Sequence, residues 1–289
     1  MEFINNKNKE RENKVKTRNT LLFAAVAAAF CASAQPVTMM SYNIRIGCGL
    51  NDPFKLPPGD LGHLPQVAEV IRSVNPDWVA IQEIDRKTKR VGFVDQTSEL
   101  ARLCGMHGTF VRKTLNTAGN KFRVANAATA EELEGAGAYG LAILSKEEPI
   151  KVSKVLVPGY YHTRCFEFVE FTNYVVVCTH FPLKEEHCLI AAKVALANIA
   201  DYRKPVFLAG DLNVSPTSAT IAELKKGMTI LNDTSVPTFP SSGPTGCIDY
   251  IMVDTPHADR VTVTERRVIP DPNATDHCAV VVKAEIVGK

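Results

Sequence analysis

Apolar residues along this chain gather in short runs that end on polar side chains, with a few longer stretches of helical spacing between them. PVTMMSYNIRIG predicts a strand ending near Ile46, WVAIQEID a second and GTFVR a third. In LPQVAEVIRSV, the residues Val67, Val70, Ile71 and Val74 fall at i, i+3, i+4 and i+7, the stripe of an amphipathic helix that Asn75-Pro76 ends. QTSELARLCG predicts a short helix stopped by Gly105, EEHCLIAAKVALANIADY the longest helix and TSATIAELKKG another. GLAILS, IKVSKVLV, TRCFEFVEF, YVVVCTH, VFLAG, CIDYIMVD, RVTVTERRVI and HCAVVVKAEIV read as strands. Residues 113–137, rich in Ala, Gly, Asn and Glu, read as a long loop. Many strands interspersed with few helices, without repeats or a linker, predict an α/β fold in which two sheets pack face to face under outer helices.

The N-terminus changes the charge picture. Six Lys and Arg precede the apolar run LLFAAVAAAF, and Ala32-Ser33-Ala34 follows it, the layout of a signal peptide. Ten apolar residues fall short of the roughly 20 needed to span a bilayer. The expectation is therefore a cleaved signal over 1–34, one domain over 35–289, and export to the periplasm or beyond the cell. Bulky Phe30 before Cys31 argues against a lipid anchor. The remaining 255 residues hold 27 Lys and Arg against 28 Asp and Glu, so no strong attraction to polyanions is expected. They also hold seven cysteines with no C-x-x-C spacing, which read as small buried hydrophobes rather than a metal knuckle.

The residues that end the strands carry the candidate chemistry. In KPVFLAGDLNVSPTS, Asp211 and Asn213 flank Leu212, and in an extended strand they would share one face. Asn43, Glu83 and His180 likewise end apolar runs, while Asp276 and His277 open the last strand. Asp249 sits among Ile248, Tyr250, Ile251 and Met252, so it is expected to be buried, with His277 as the partner that makes burial tolerable. This set fits metal-assisted phosphoester hydrolysis. Glu83 and Asp276 are hard oxygen ligands for Mg²⁺. Asp211 is placed to orient or deprotonate water, Asn43 and Asn213 to donate to phosphate or ligand oxygens, and the histidines to supply donors. No G-x-S-x-G elbow, Walker loop or H-E-x-x-H helix is present.

SYNIRIG, IQEID, THF, GDLN, IDYI and TDH, in that order, resemble the endonuclease/exonuclease/phosphatase (deoxyribonuclease I-like) superfamily over Val37 to Ile286. The resemblance implies a four-layer α/β/β/α sandwich and a Mg²⁺ cofactor, with Mn²⁺ as a substitute. It implies metal-site roles for Asn43, Glu83 and Asp276. Catalytic roles follow for His180, Asp211, Asn213, Asp249 and His277, and substrate-phosphate contacts for Asn43, Arg164 and Asn213. Thr275 and Phe181 depart mildly from the family's usual Ser and Leu. Arg45 stands where repair-type members place an acid, which argues against abasic-site repair. The expected substrate is a phosphodiester, in nucleic acid or a phospholipid head group, with a sugar or inositol phosphomonoester as the alternative. A protein of the same fold that binds a phosphorylated ligand without turnover is the reading from another class. A monomer without stable membrane insertion is expected. Loops 47–62, 113–137 and 232–246 carry no code for the substrate.

Overall fold

A computed structural model describes residues 34–51, 62–117, 121–124, 137–157 and 164–287. Its strands are β1 Ala34–Asn43, β2 Trp78–Arg86, β3 His107–Thr117, β4 Lys121–Val124, β5 Gly137–Ser145, β6 Lys151–Val157 and β7 Arg164–Glu170, followed by β8 Val175–His180, β9 Val206–Asp211, β10 Met228–Ile230, β11 Asp249–Asp254, β12 Val261–Ile269 and β13 Ala279–Val287. The helices are α1 Leu64–Val74, α2 Gln96–Cys104, α3 Glu185–Ile199 and α4 Ala219–Leu224. One sheet has seven strands in the order β12-β13-β1-β2-β5-β3-β4, the other six in the order β10-β11-β9-β8-β7-β6. Both are mixed, since β1 runs parallel to β2 and β8 parallel to β9 while their other neighbours are antiparallel.

Alternation along the strands produces three apolar interfaces and so four layers. Met39, Trp78, Ala80, Cys178, Phe207, Ala209, Ile251 and Val280 face inward and join the two sheets. Met40, Val79, Ile81 and Val281 face outward, against Leu64, Val67 and Ile71 of α1 and Leu100 of α2. On the other side Val175, Val177, Val206 and Leu208 meet Cys188, Ala191, Ala192 and Ala195 of α3 and Ile221 of α4. The alanines let α3 lie close on the sheet, and fully burying each Val or Leu there contributes about 1.5–3 kcal/mol. The expected four-layer α/β/β/α sandwich is what forms.

Helix ends follow local chemistry. α1 spans the predicted stretch and stops at Asn75, which is left-handed. Asp95 caps α2 by accepting the Ser98 N–H at 3.1 Å, and left-handed Gly105 closes it.

Two strands carry bulges against β5. In the β2 pairing the register slips between Gln82 and Ile84, and in the β3 pairing between Arg112 and Thr114; both slips lie opposite Gly140. The β2 bulge reverses the strand's alternation, for Trp78 and Ala80 pack between the sheets whereas Ile84 packs on the α1 side.

The structure departs from the expected loop at 113–137. β3 runs on to Thr117 and pairs with β4 from Thr114↔Val124 to Thr117↔Lys121. The β-favouring residues Leu115, Phe122 and Val124 are diluted by Ala, Asn and Gly in any average over the stretch. The rest of that loop, and the signal segment up to residue 33, lie outside the described residues. β1 begins at Ala34, paired with Val287, beside the expected cleavage point. All seven cysteines after the signal segment are free thiols, six of them buried. Among the described residues no helix is long and apolar enough to cross a membrane.

Candidate active site

The inward-facing positions of the strands, followed to one end of the sandwich, lead to the polar residues. Phe207 and Ala209 point between the sheets, and two residues on Asp211 does the same. Asn43, His180 and Asp249 hold the equivalent inward positions on β1, β8 and β11. In the second sheet His180 and Asp211 are register partners across β8 and β9, and Asp211 and Asp249 across β9 and β11. Gly210 is required just before Asp211, because a Cβ there would collide with the Thr179 carbonyl of the neighbouring strand.

Glu83 reaches the site by a different device. It is the extra residue of the β2 bulge and takes a left-handed φ of 56°, a conformation rare for a non-glycine residue and found where function holds it.

Asp211 Oδ2 is the focus. The Asn43 Nδ2 donates to it at 3.1 Å, His180 Nε2 lies at 3.5 Å and His277 Nε2 at 3.7 Å. The other oxygen, Oδ1, accepts the Asn213 backbone N–H at 2.9 Å. Asn43 Nδ2 also reaches Glu83 Oε1 at 3.3 Å, which ties the two sheets together at this point.

Asp249, 1% exposed, meets the burial expected of it. His277 Nδ1 lies 3.1 and 3.2 Å from its two oxygens and donates to them, which turns Nε2 toward Asp211. Thr238 completes the shell by donating its hydroxyl to Asp249 Oδ2 at 2.6 Å, and the Phe239 ring packs on the imidazole with centroids 4.7 Å apart. Thr275 uses its hydroxyl to hold the Asn43 carbonyl at 2.9 Å, so the substitution for Ser keeps a working donor.

Charge is concentrated and partly desolvated here. Burial raises the Asp211 pKa to about 7, with Asp249 and Glu83 adding to the rise and His277 opposing it. Burial alone would lower His277, but the Asp249 charge and hydrogen bond, then Asp211 and Asp276, raise it to about 10. Burial also raises Asp276, against the pull of His277 and Arg45. His180 is driven well below the usual histidine range by burial and by Arg164, Lys113 and His277, and its buried Nδ1 has no hydrogen-bond partner.

The donor set suits a hard divalent cation. Asp211, Asp249 and His277 bring ligand atoms within 4.8 Å of one another, although the His277–Asp249 bond marks that pair as an orienting one. Glu83 and Asp276 are the carboxylates left to face solvent, and Glu83 raises Asp276 by like charge, a repulsion that a cation would relieve. Arg45 Nε stands 3.3 Å from Asp276 Oδ2, a contact with no signal in the strand pattern.

Asn213 does not share the face of Asp211. β9 ends at Asp211, and Asn213 takes a left-handed φ of 53° that Asn tolerates. Its Nδ2 donates to the Phe181 carbonyl at 3.0 Å. Arg164 opens β7 and is buried, with Nε and Nη1 unpartnered among the described residues. Sequence patterns also missed Lys113, a buried ammonium 4.7 Å over the Tyr139 ring; a lysine beside a run of loop-like composition gives no signal of burial.

The profile described as Endonuclease/Exonuclease/phosphatase family matches residues 40–277. No curated protein matches the sequence. Solved structures with the same fold include an endonuclease/exonuclease/phosphatase from Beutenbergia cavernae DSM 12333, at 20% identity and TM-score 0.68, covering 88% of this chain and 72% of that one. An endonuclease/exonuclease/phosphatase family protein from Bacteroides thetaiotaomicron aligns at 16% identity and TM-score 0.65, over 88% of this chain and 99% of that one. The mannosyl-6-phosphatase of Bacteroides thetaiotaomicron VPI-5482 aligns at 15% identity and TM-score 0.63, over 86% and 99%.

Proposed function

The chain belongs to the endonuclease/exonuclease/phosphatase family, and from that premise we propose that it hydrolyses phosphoesters in a metal-dependent reaction. The observation that carries the reading is the convergence of Asn43, His180 and His277 on one oxygen of Asp211, with His277 fixed from behind by Asp249. Asp211, once ionised, takes a proton from water as the water oxygen bonds to phosphorus. The ester P–O bond breaks and the alcohol departs with a proton. His277 presents Nε2–H to a phosphoryl oxygen, and Asn43 holds Asp211 in place. His180, neutral in its burial, donates toward Asp211. Asn43, Glu83 and Asp276 would hold Mg²⁺ or Mn²⁺, which when bound neutralises charge on the phosphoryl oxygens. Asn213, tied to Phe181, positions the Asp211 carboxylate through its backbone N–H.

The primary reading is a phosphodiester substrate, in nucleic acid or a phospholipid head group. A phosphomonoester is the second reading, favoured by the buried cations Lys113 and Arg164 and in keeping with the sugar phosphatase among the structural neighbours. Export as residues 35–289 after loss of 1–34, and action as a monomer, complete the proposal. The test is hydrolysis of bis-p-nitrophenyl phosphate and p-nitrophenyl phosphate with Mg²⁺ and with EDTA. Metal-dependent release of nitrophenol from either ester, abolished by Asp211→Ala, is the expected result. Full activity in that variant, or turnover indifferent to EDTA, would overturn the reading.

A further inference from the structure

Beyond His180 the cleft changes sign. The acidic half described above gives way to Lys113 on β3 and Arg164 on β7, which are 3% and 8% exposed. Neither forms an ion pair among the described residues, and Nε and Nη1 of Arg164 are buried without an acceptor. Leaving two cations desolvated and unpaired is costly unless an anion completes them.

Their placement is built rather than incidental. Lys113 is the extra residue of the β3 bulge as Glu83 is of the β2 bulge, and both bulges oppose Gly140. A Cβ at Gly140 would collide with the Val111 carbonyl and the Phe110 ring, so this crossing admits only glycine. One strand thus seats an acid for the metal side and a cation for the other. In the second sheet β9, β8 and β7 are adjacent, so the row Asp211, His180, Arg164 spans the same cleft. Two strand spacings separate the backbones at its ends by about 10 Å, a gap that a phosphate and a guanidinium together bridge. Burial and then Arg164 lower the Lys113 pKa well below the ordinary range, which is the penalty a bound anion would reverse.

We propose that Lys113 and Arg164 form an anion subsite that reads the second negative charge of a terminal phosphate, so that phosphomonoesters are preferred over diesters. The inference rests on the phosphoesterase reading and names its substrate class. A diester phosphate carries one charge and fills the space beyond it with a second ester group; a monoester presents the dianion that two cations complement.

The full chain, free of metal, is titrated calorimetrically with inorganic phosphate, and kcat/KM is measured with Mg²⁺ for p-nitrophenyl phosphate and bis-p-nitrophenyl phosphate. K113M and R164M are expected to weaken phosphate binding by about tenfold or more, with K113R recovering most of it. The monoester-to-diester ratio of kcat/KM should fall by a similar factor in K113M. Phosphate affinity equal in wild type and K113M, or an unchanged ratio, overturns the subsite. If wild type cleaves neither ester, the phosphoesterase reading fails by itself and the calorimetry still decides the subsite. K113Q, checked by circular dichroism, replaces K113M should that variant not fold.

Discussion

Asp211 and Asp249 face each other as register partners on adjacent strands, two carboxylates that are 2% and 1% exposed. Like charges placed opposite one another in a sheet repel. The arrangement holds because His277 bridges them, with Nδ1 on Asp249 and Nε2 toward Asp211. Electrostatic tension at this pair governs the behaviour expected of the variants below.

Asp249→Asn removes the charge that raises His277. In the wild type the raised histidine contributes stability that is fully present below about pH 6.5 and disappears as pH climbs through about 10. Urea unfolding at pH 6, 8 and 10 should show the variant's deficit shrinking toward pH 10. A deficit constant with pH would mean that His277 is not held protonated by Asp249. Turnover should fall by about 10²–10⁴-fold.

Asp211→Asn separates stability from activity. A carboxylate raised from 3.8 to about 7 weakens the fold once it ionises, a penalty absent at acid pH and complete above about 7. The variant, in EDTA, should gain on the order of 2 kcal/mol at pH 8 and much less at pH 4.5, while losing roughly 10³-fold in rate. Wild-type activity should rise with pH through about 7 as the base ionises. A melting temperature at pH 8 below that of wild type would contradict this account.

Thr238→Val takes away the hydroxyl that donates to Asp249 Oδ2 at 2.6 Å in a fully buried position. The loss should cost about 1–3 kcal/mol of stability and shift His277 downward, visible as an earlier loss of its imidazolium NMR signal on raising pH. Unaltered His277 titration would show that Thr238 serves folding alone.

Metal should stabilise the fold through Glu83. At a hundred times its dissociation constant a ligand adds about 2.7 kcal/mol, read as a rise in melting temperature with Mg²⁺ or Mn²⁺ over EDTA. Glu83→Gln should remove most of that rise. A full rise in the variant would place the cation elsewhere.

Much of this architecture was legible in the chain because its signals are local. The stripe of Val67, Val70, Ile71 and Val74 with Asn75-Pro76 behind it fixes both the identity and the end of α1, and each apolar run became a strand. The buried pairing of Asp249 with His277 was legible too, since a carboxylate among Ile248, Tyr250 and Ile251 must find a donor. What escaped depends on a partner strand or a single dihedral. A bulge is defined against the opposing strand, so Glu83 and Lys113 give no local sign of their placement. Asn213 left the face of Asp211 because one left-handed residue ended the strand. The Arg45–Asp276 and Thr238–Asp249 contacts join segments 231 and 11 residues apart.

The bulges flanking Gly140 bear on how this chain could change over time. Because the slip at Glu83 reverses which side chains of β2 face the sheets, no exchange of one amino acid for another can undo it; only deletion of a residue restores ordinary alternation, and that deletion would turn Ile84 inward and carry the acid away from the cleft. The same holds across β5 for Lys113. Side chains at these two positions are free to drift by substitution, whereas the length of the chain around them is not. Descendants that lose the chemistry should therefore still keep the residue count between Trp78 and Arg86, and a gap there would be the surest mark of a chain that has taken up different work.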